Sequence, residues 1–252
     1  MARRARCGTA LVLVGGRGTR LAPVVQDRAK VLAEVAGRPF LTHLLDRLEA
    51  ANFARVVLCT GYRGEEVRAL MGDCYGALAI AYSHEDTVAG TGGALRLAAE
   101  RFDADPLLVL NGDSCCEVEL EALWARHQER APAATMVVTE VPDTARFGRV
   151  ELDGAQRVRA FREKTGEAHP GWINAGIYVV GRERLMAIDT GRAVSLESEV
   201  LPGWIPDGLD AFPARGGFLD IGTPRSYATA AEDLRAMTFR SDGSLRADGV
   251  AS

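Results

Sequence analysis

An apolar run over residues 9–14 passes directly into Gly15-Gly16-Arg17-Gly18-Thr19-Arg20-Leu21, and Lys30 follows nine residues after that turn. No other segment constrains the fold as strongly. A buried strand ending in glycines lets the backbone come close to an anion, because glycine has no Cβ and reaches positive φ without strain. Successive N–H groups in such a turn can form a nest for anionic oxygens. Arg20 and Lys30 add the charge and donors that a polyphosphate requires. The turn lacks the Gly-Lys-Ser/Thr ending of a P-loop, and Pro23 interrupts the helix that a dinucleotide fingerprint would open. Taken alone, the same glycines are also compatible with a plain tight turn.

The rest of the chain supplies the frame for such a turn. Strands predicted at 9–14, 55–60, 78–83 and 107–110 alternate with helices predicted from Pro39, around 65–71, over 93–101 and over 120–130. In the first of these helices Phe40, Leu41, Leu44, Leu45 and Leu48 share one face. Beyond residue 134 the period changes. Segments 135–141, 149–152, 158–161 and 173–180 read as short strands of a more antiparallel region, and a helix from Pro224 to about Met237 closes the fold. The expectation is an α/β fold, a Rossmann-like, mostly parallel sheet with a smaller inserted lobe for a substrate. No internal repeat or linker divides the chain. Residues 1–239 read as one domain, and 240–252 as a flexible, polar tail.

Bulk composition narrows the partners. Hydrophobic residues at 47% and charged residues at 25% of 252 are ordinary for a globular protein. A net charge of −4 signals no basic face for nucleic acid. No apolar run has membrane-spanning length, and Arg3, Arg4 and Arg6 read as a solvated start rather than a targeting peptide. The five cysteines, Cys7, Cys59, Cys74, Cys115 and Cys116, form neither a disulfide framework nor a Cys-x-x-Cys zinc pattern. A reduced, cytoplasmic protein is expected. Homo-oligomerisation is left open.

Ligands of a parallel sheet sit beyond the carboxyl ends of its strands. Glu85 and Asp113 are expected there with the glycine turn, and Asp220 follows a further apolar triplet, Gly217-Phe218-Leu219. Asp113 also suits a turn, and Asp220 a helix cap. If the two converge on a triphosphate they suit Mg²⁺, which takes one or two carboxylates plus phosphate oxygens. Spacing leaves that convergence open.

In order, the chain carries the glycine turn with Lys30, Glu85 with Gly90-Thr91-Gly92-Gly93, Leu110-Asn111-Gly112-Asp113-Ser114, Phe147-Gly148-Arg149, Glu163-Lys164, Asn174-Ala175-Gly176 and Phe218-Leu219-Asp220-Ile221-Gly222-Thr223-Pro224. This succession, over about residues 8 to 235, resembles the sugar-1-phosphate nucleotidylyltransferases. The short chain and Ser195-Leu196-Glu197 look most like the guanylyltransferases acting on D-glycero-α-D-manno-heptose 1-phosphate, with mannose 1-phosphate or another hexose phosphate as the alternative substrate. A catalytically silent, nucleotide-sugar-binding regulatory subunit is the alternative of another class.

The resemblance implies roles. Leu13, Gly15, Gly16, Arg17, Gly18 and Thr19, with Gly90 and Thr91, would hold the nucleotide. Arg20 would hold the triphosphate, and Lys30 would neutralise charge in the transition state. Asp113 and Asp220 match the two metal aspartates, for Mg²⁺. Asn111, Gly148, Glu163, Asn174 and Ala175 match sugar contacts, and Lys164 matches the lysine on the sugar phosphate. Glu85 stands where uridylyl- and thymidylyl-transferring relatives carry glutamine. A carboxylate offers acceptors only, which suits the adjacent donors of guanine and points to GTP. Ala29 departs from the family, which usually has proline before the lysine.

Overall fold

The computed structural model describes residues 8–162, 166 and 168–237. The expected flexible tail, 240–252, lies outside them. In the first half β1 (Thr9–Leu13) is followed by a small hairpin, β2 (Glu34–Val35) and β3 (Arg38–Pro39), and then by α1 (Phe40–Ala50), β4 (Arg55–Thr60) and α2 (Gly64–Met71). A short β5 (Cys74–Tyr75), β6 (Leu78–His84), α3 (Gly90–Arg101), β7 (Leu107–Asn111), β8 (Ser114–Cys116) and α4 (Leu120–Arg130) come next. Pro39 sits just before the first residue of α1 with φ −54°, a value its ring imposes, and Phe40, Leu41, Leu44, Leu45 and Leu48 are all fully buried.

The second half contains β9 (Ala134–Val141), β10 (Arg149–Leu152), β11 (Val158–Arg162) and β12 (Gly171–Val180). Two short helices, α5 (Arg182–Met186) and α6 (Leu201–Trp204), precede β13 (Leu209–Ala214), β14 (Phe218–Asp220) and α7 (Pro224–Ala236). Thr223, not Asp220, caps α7, in a reciprocal box with Ser226 and with Pro224 in the first turn.

β7, β1, β4 and β6 run parallel in that spatial order. Side chains alternate across this sheet. Ala10, Val12, Val56, Leu58, Leu108 and Leu110 join the core on the α1 face, while Leu11, Val57, Cys59, Leu107 and Val109 join Leu95, Ala98 and Ala99 of α3 on the other. Both faces are covered, which is why these strands read as continuous apolar runs.

The expected antiparallel region is real, and it takes the form of an extension of the same ten-stranded sheet. β12 lies antiparallel to β7 and β9, and β10 and β11 continue one edge. Sequence reading missed β13, which runs parallel to β9, and the separate ladder of β8 and β14. The three-residue strands β8 and β14 carry too little periodicity to be seen, and β13, six residues long, contains Pro213, which argues against a strand in sequence reading. Among the described residues no helix is long and apolar enough to cross a membrane.

Candidate functional site

Register fixes where the parallel strands end. Leu13 is level with Cys59 on one side and Asn111 on the other, and Thr60 is level with His84. The segments that follow these ends, with β8, β14 and the bulge of β12, surround one cleft of about 780 Å³. Of the nucleotide residues expected from sequence, Leu13, Gly15, Gly16, Arg17, Glu85, Gly90 and Thr91 line it. So do Arg20, Lys30, Asn111, Asp113, Asn174, Ala175 and Asp220. Gly18, Thr19 and Gly148 do not form its wall. Glu163 and Lys164 lie outside the described residues.

The glycine turn is shaped by close approach. A β-carbon on Gly15 would stand 2.8 Å from the Gly61 amide nitrogen, so backbone packs on backbone where β1 and β4 end. Gly18 has φ +59° and rests on the aliphatic stem of Lys30, which explains why it acts behind the wall rather than in it. The turn then tightens through Leu21 and Ala22 amides bonded to the Gly18 carbonyl, and no helix opens here. Ala29, φ −60° and ψ 140°, adopts the backbone a proline would have, and its N–H donates to Glu66 Oε2 at 3.0 Å.

Two carboxylates converge. β14 pairs with β8 so that Asp220 is level with Ser114, and the Ile221 amide donates to the Asp113 carbonyl at 2.9 Å. Each carries a cation. Lys30, only 11% exposed, is ion-paired with the 39%-exposed Asp113. Arg146 Nη2 lies 3.3 Å from both oxygens of Asp220, which is 16% exposed. Asp220 Oδ1 also accepts from the Gly222 amide at 2.8 Å and from the Ser226 hydroxyl at 3.3 Å. A β-carbon on Gly222 would be 3.6 Å from Lys30 Nζ and 3.8 Å from Arg20 Nη2, so both cations meet at this point.

Among the described residues no cluster of three or more His, Cys, Asp and Glu forms a metal centre. The cleft offers instead an all-oxygen pair beside fixed cations. That pair fits Mg²⁺, which leaves its other positions to water and phosphate.

Glu85 lies against Gly61, whose β-carbon would be 2.7 Å from Glu85 Oε1, while Oε2 accepts the Ala89 N–H at 3.0 Å. Burial raises its pKa, and the Ala89 hydrogen bond partly opposes the shift. Behind it, burial pushes the Cys59 thiol up to about 12, with the Glu85 charge adding to the effect, so this cysteine is inert.

On the far side β12 breaks register between Asn174 and Tyr178. Asn174 clasps the break, accepting the Gly176 N–H at 2.9 Å and donating to the Tyr178 hydroxyl at 2.6 Å. Asn111 Oδ1 is buried and finds no hydrogen-bond donor among the described residues, which leaves an acceptor for a ligand hydroxyl.

Sequence reasoning did not select Tyr62, Arg146, Phe147 or Glu197 as site residues, yet all four line the cleft. The Thr91 hydroxyl donates to Glu197 Oε2 at 2.8 Å. Arg146 directly precedes the Phe147-Gly148-Arg149 motif, and that adjacency was the available signal.

Comparison with known proteins places this geometry among relatives. The nucleotidyl transferase family model matches residues 9–237. Mannose-1-phosphate guanylyltransferase of Mycobacterium tuberculosis is 38% identical over 229 residues, 89% of this chain, which spans 64% of that protein's length. D-glycero-alpha-D-manno-heptose 1-phosphate guanylyltransferase of Aneurinibacillus thermoaerophilus is 30% identical over 90% of this chain and 98% of its own. The crystal structure of HddC from Yersinia pseudotuberculosis complexed with GMP-PN superposes with a TM-score of 0.80 at 28% identity, over 90% of this chain and 100% of HddC.

Proposed function

Because the chain belongs to the nucleotidyl transferase family, we propose that it transfers a guanylyl group from GTP to D-glycero-α-D-manno-heptose 1-phosphate, giving GDP-heptose and pyrophosphate. One observation carries the reading: Arg20, Lys30, Asp113 and Asp220 meet around Gly222, in the cleft that the glycine turn and Glu85 also line. That convergence favours an active enzyme over a silent binding subunit. The heptose is supported by a relative that this chain spans almost end to end. Mannose 1-phosphate is the second reading, favoured by the higher identity of the mycobacterial protein.

An ionised oxygen of the sugar phosphate attacks the α-phosphorus of GTP, the new P–O bond forms in line, and the bond to the β-phosphate oxygen breaks. No general base is needed, so the protein contributes positioning and charge neutralisation. The turn at Gly15, Gly16 and Arg17 receives the triphosphate with Arg20. Lys30 neutralises charge gathering on the departing pyrophosphate. Asp113 and Asp220 would hold Mg²⁺, which when bound screens the phosphate oxygens. Asn111, Asn174 and Ala175 face the sugar. Glu163 and Lys164 are assigned to a sugar hydroxyl and the sugar phosphate by resemblance alone. Glu85 accepts N1–H and the N2 amino group of guanine. Residues 1–239 act as one catalytic domain in the cytoplasm, with neither nucleic acid nor membrane as partner.

A panel of GTP, ITP, ATP and UTP against heptose 1-phosphate and mannose 1-phosphate, read by pyrophosphate release, tests this. GTP with the heptose should give the highest kcat/KM. A mannose preference would select the second reading, and absence of turnover in every cell would reject transferase activity.

A further inference from the structure

We propose that Arg146 is an internal cation which a divalent metal must displace from Asp220, and that the displaced guanidinium then grips an anionic oxygen of the sugar phosphate. The inference rests on the transferase reading above.

Asp220 has little accessible surface left. Its Oδ1 takes the Gly222 amide and the Ser226 hydroxyl, and Arg146 Nη2 straddles both oxygens from the cleft side. A divalent cation approaching from the cleft would meet the guanidinium at the same lone pairs. Two positive groups cannot share that position at contact distance without strong repulsion. The metal and Arg146 therefore compete.

The existing pair is built to be given up. Its contacts of 3.3 Å are long for a charge-assisted hydrogen bond, which is normally nearer 2.7–2.9 Å, and the Arg146 side chain is 41% exposed. A pair of that kind holds weakly. The segment beneath it is held firmly. Thr144 is buried and bonds the His169 carbonyl through both its amide and its hydroxyl. The Arg146 guanidinium stacks 5.1 Å above the Phe147 ring, and Phe147 meets Phe218 of β14 edge-on at 5.6 Å. Once released, the guanidinium is still tethered at the wall of the cleft that Asn174 and Ala175 also line. A planar fork with several donors there suits a phosphate. Lys30 stands in the same relation to Asp113, but its buried stem gives it less freedom to leave.

The test titrates Mn²⁺ into the full chain without nucleotide, followed by electron paramagnetic resonance, for the parent, Arg146→Gln and Arg146→Lys. Arg146→Gln should bind Mn²⁺ roughly ten-fold tighter, and Arg146→Lys, which keeps a cation, should stay near the parent. The gain should vanish when Asp220→Asn is added. Steady-state kinetics of Arg146→Gln should show the sugar-phosphate KM raised roughly ten-fold and the GTP KM little changed. Unchanged or weaker Mn²⁺ binding in Arg146→Gln would overturn the competition, as would a gain that survives Asp220→Asn or appears equally in Arg146→Lys. An unchanged sugar-phosphate KM would overturn the phosphate grip. Failure of the transferase reading would show separately, as no pyrophosphate release by the parent.

Discussion

The two walls of the cleft are built by different means. On the side proposed for the nucleotide, four wall residues stand within two positions of the end of a parallel strand: Gly15 after β1, Gly61 after β4, Glu85 after β6 and Asp113 after β7. Hydrogen-bonded register among buried strands sets their positions, and the side chains inherit that rigidity. On the sugar side the residues come from a broken strand, a three-residue ladder and the connection between β9 and β10. Side chains hold that wall: the Asn174 clasp, the pair of Arg146 with Asp220, and the edge-on contact of Phe147 with Phe218. One wall is specified by backbone and the other by replaceable side-chain contacts. Chemistry should therefore be more fragile on the first wall, and substrate choice more adjustable on the second.

The largest test of this contrast pairs the two lysines. Lys30→Ala should lower kcat by about 10²- to 10³-fold, because its charge acts on the transition state. Lys164→Ala should chiefly raise the sugar-phosphate KM. Matching kinetic profiles for the two would erase the distinction between the walls.

A second pair separates backbone from side chain. Gly15→Ala forces a β-carbon to 2.8 Å from the Gly61 amide nitrogen, so backbone rather than a flexible side chain must shift. It should cost about 1–3 kcal/mol of stability in thermal unfolding and weaken GTP binding as well. Asn174→Ala removes only the clasp of the β12 break. It should raise the sugar-phosphate KM several-fold, on the order of 1 kcal/mol, with a GTP KM near that of the parent. If Asn174→Ala disturbed GTP binding as much as Gly15→Ala, the walls would not be independent.

The smallest effect of the three sharpens the nucleotide wall itself. Glu85→Gln should reduce the preference for GTP over ITP by roughly ten-fold, since one acceptor becomes a donor. Burial raises the pKa of Glu85, so its carboxylate protonates as pH falls before an ordinary glutamate would. The GTP KM should rise over that same range in the parent and stay flat in Glu85→Gln. Equal use of GTP and ITP by the parent would remove Glu85 from base reading.

This contrast also explains what could be read from the sequence. The four central parallel strands were legible as continuous apolar runs, and α1, α3 and α4 because each repeats an apolar period over enough residues to be unambiguous, as with Phe40, Leu44 and Leu48. The residues after those strands followed from the general position of ligands at strand ends. β8, β14 and the β12 break were not legible. Their geometry depends on partners distant in sequence, 106 positions apart for Ser114 and Asp220 and 36 for Asn174 and Val138, and no local pattern encodes such pairing. Arg146 escaped for the same reason: its value lies in which carboxylate it reaches.

The hydrogen bond between Ala29 and Glu66 has an evolutionary consequence. Ala29 holds its backbone at a proline-compatible φ of −60°, yet its N–H is in use, and proline has none to offer. Ala29→Pro would stiffen the unfolded chain, worth about 0.4–1 kcal/mol, while forfeiting a bond of similar size. The two routes to an ordered lysine turn are thus mutually exclusive, and position 66 becomes conditional on position 29. Glu66→Ala should lower the thermal midpoint in the parent and have little effect once Ala29→Pro is in place. A lineage could cross from one solution to the other with almost no change in stability, and each crossing would reset which neighbouring substitutions are tolerated.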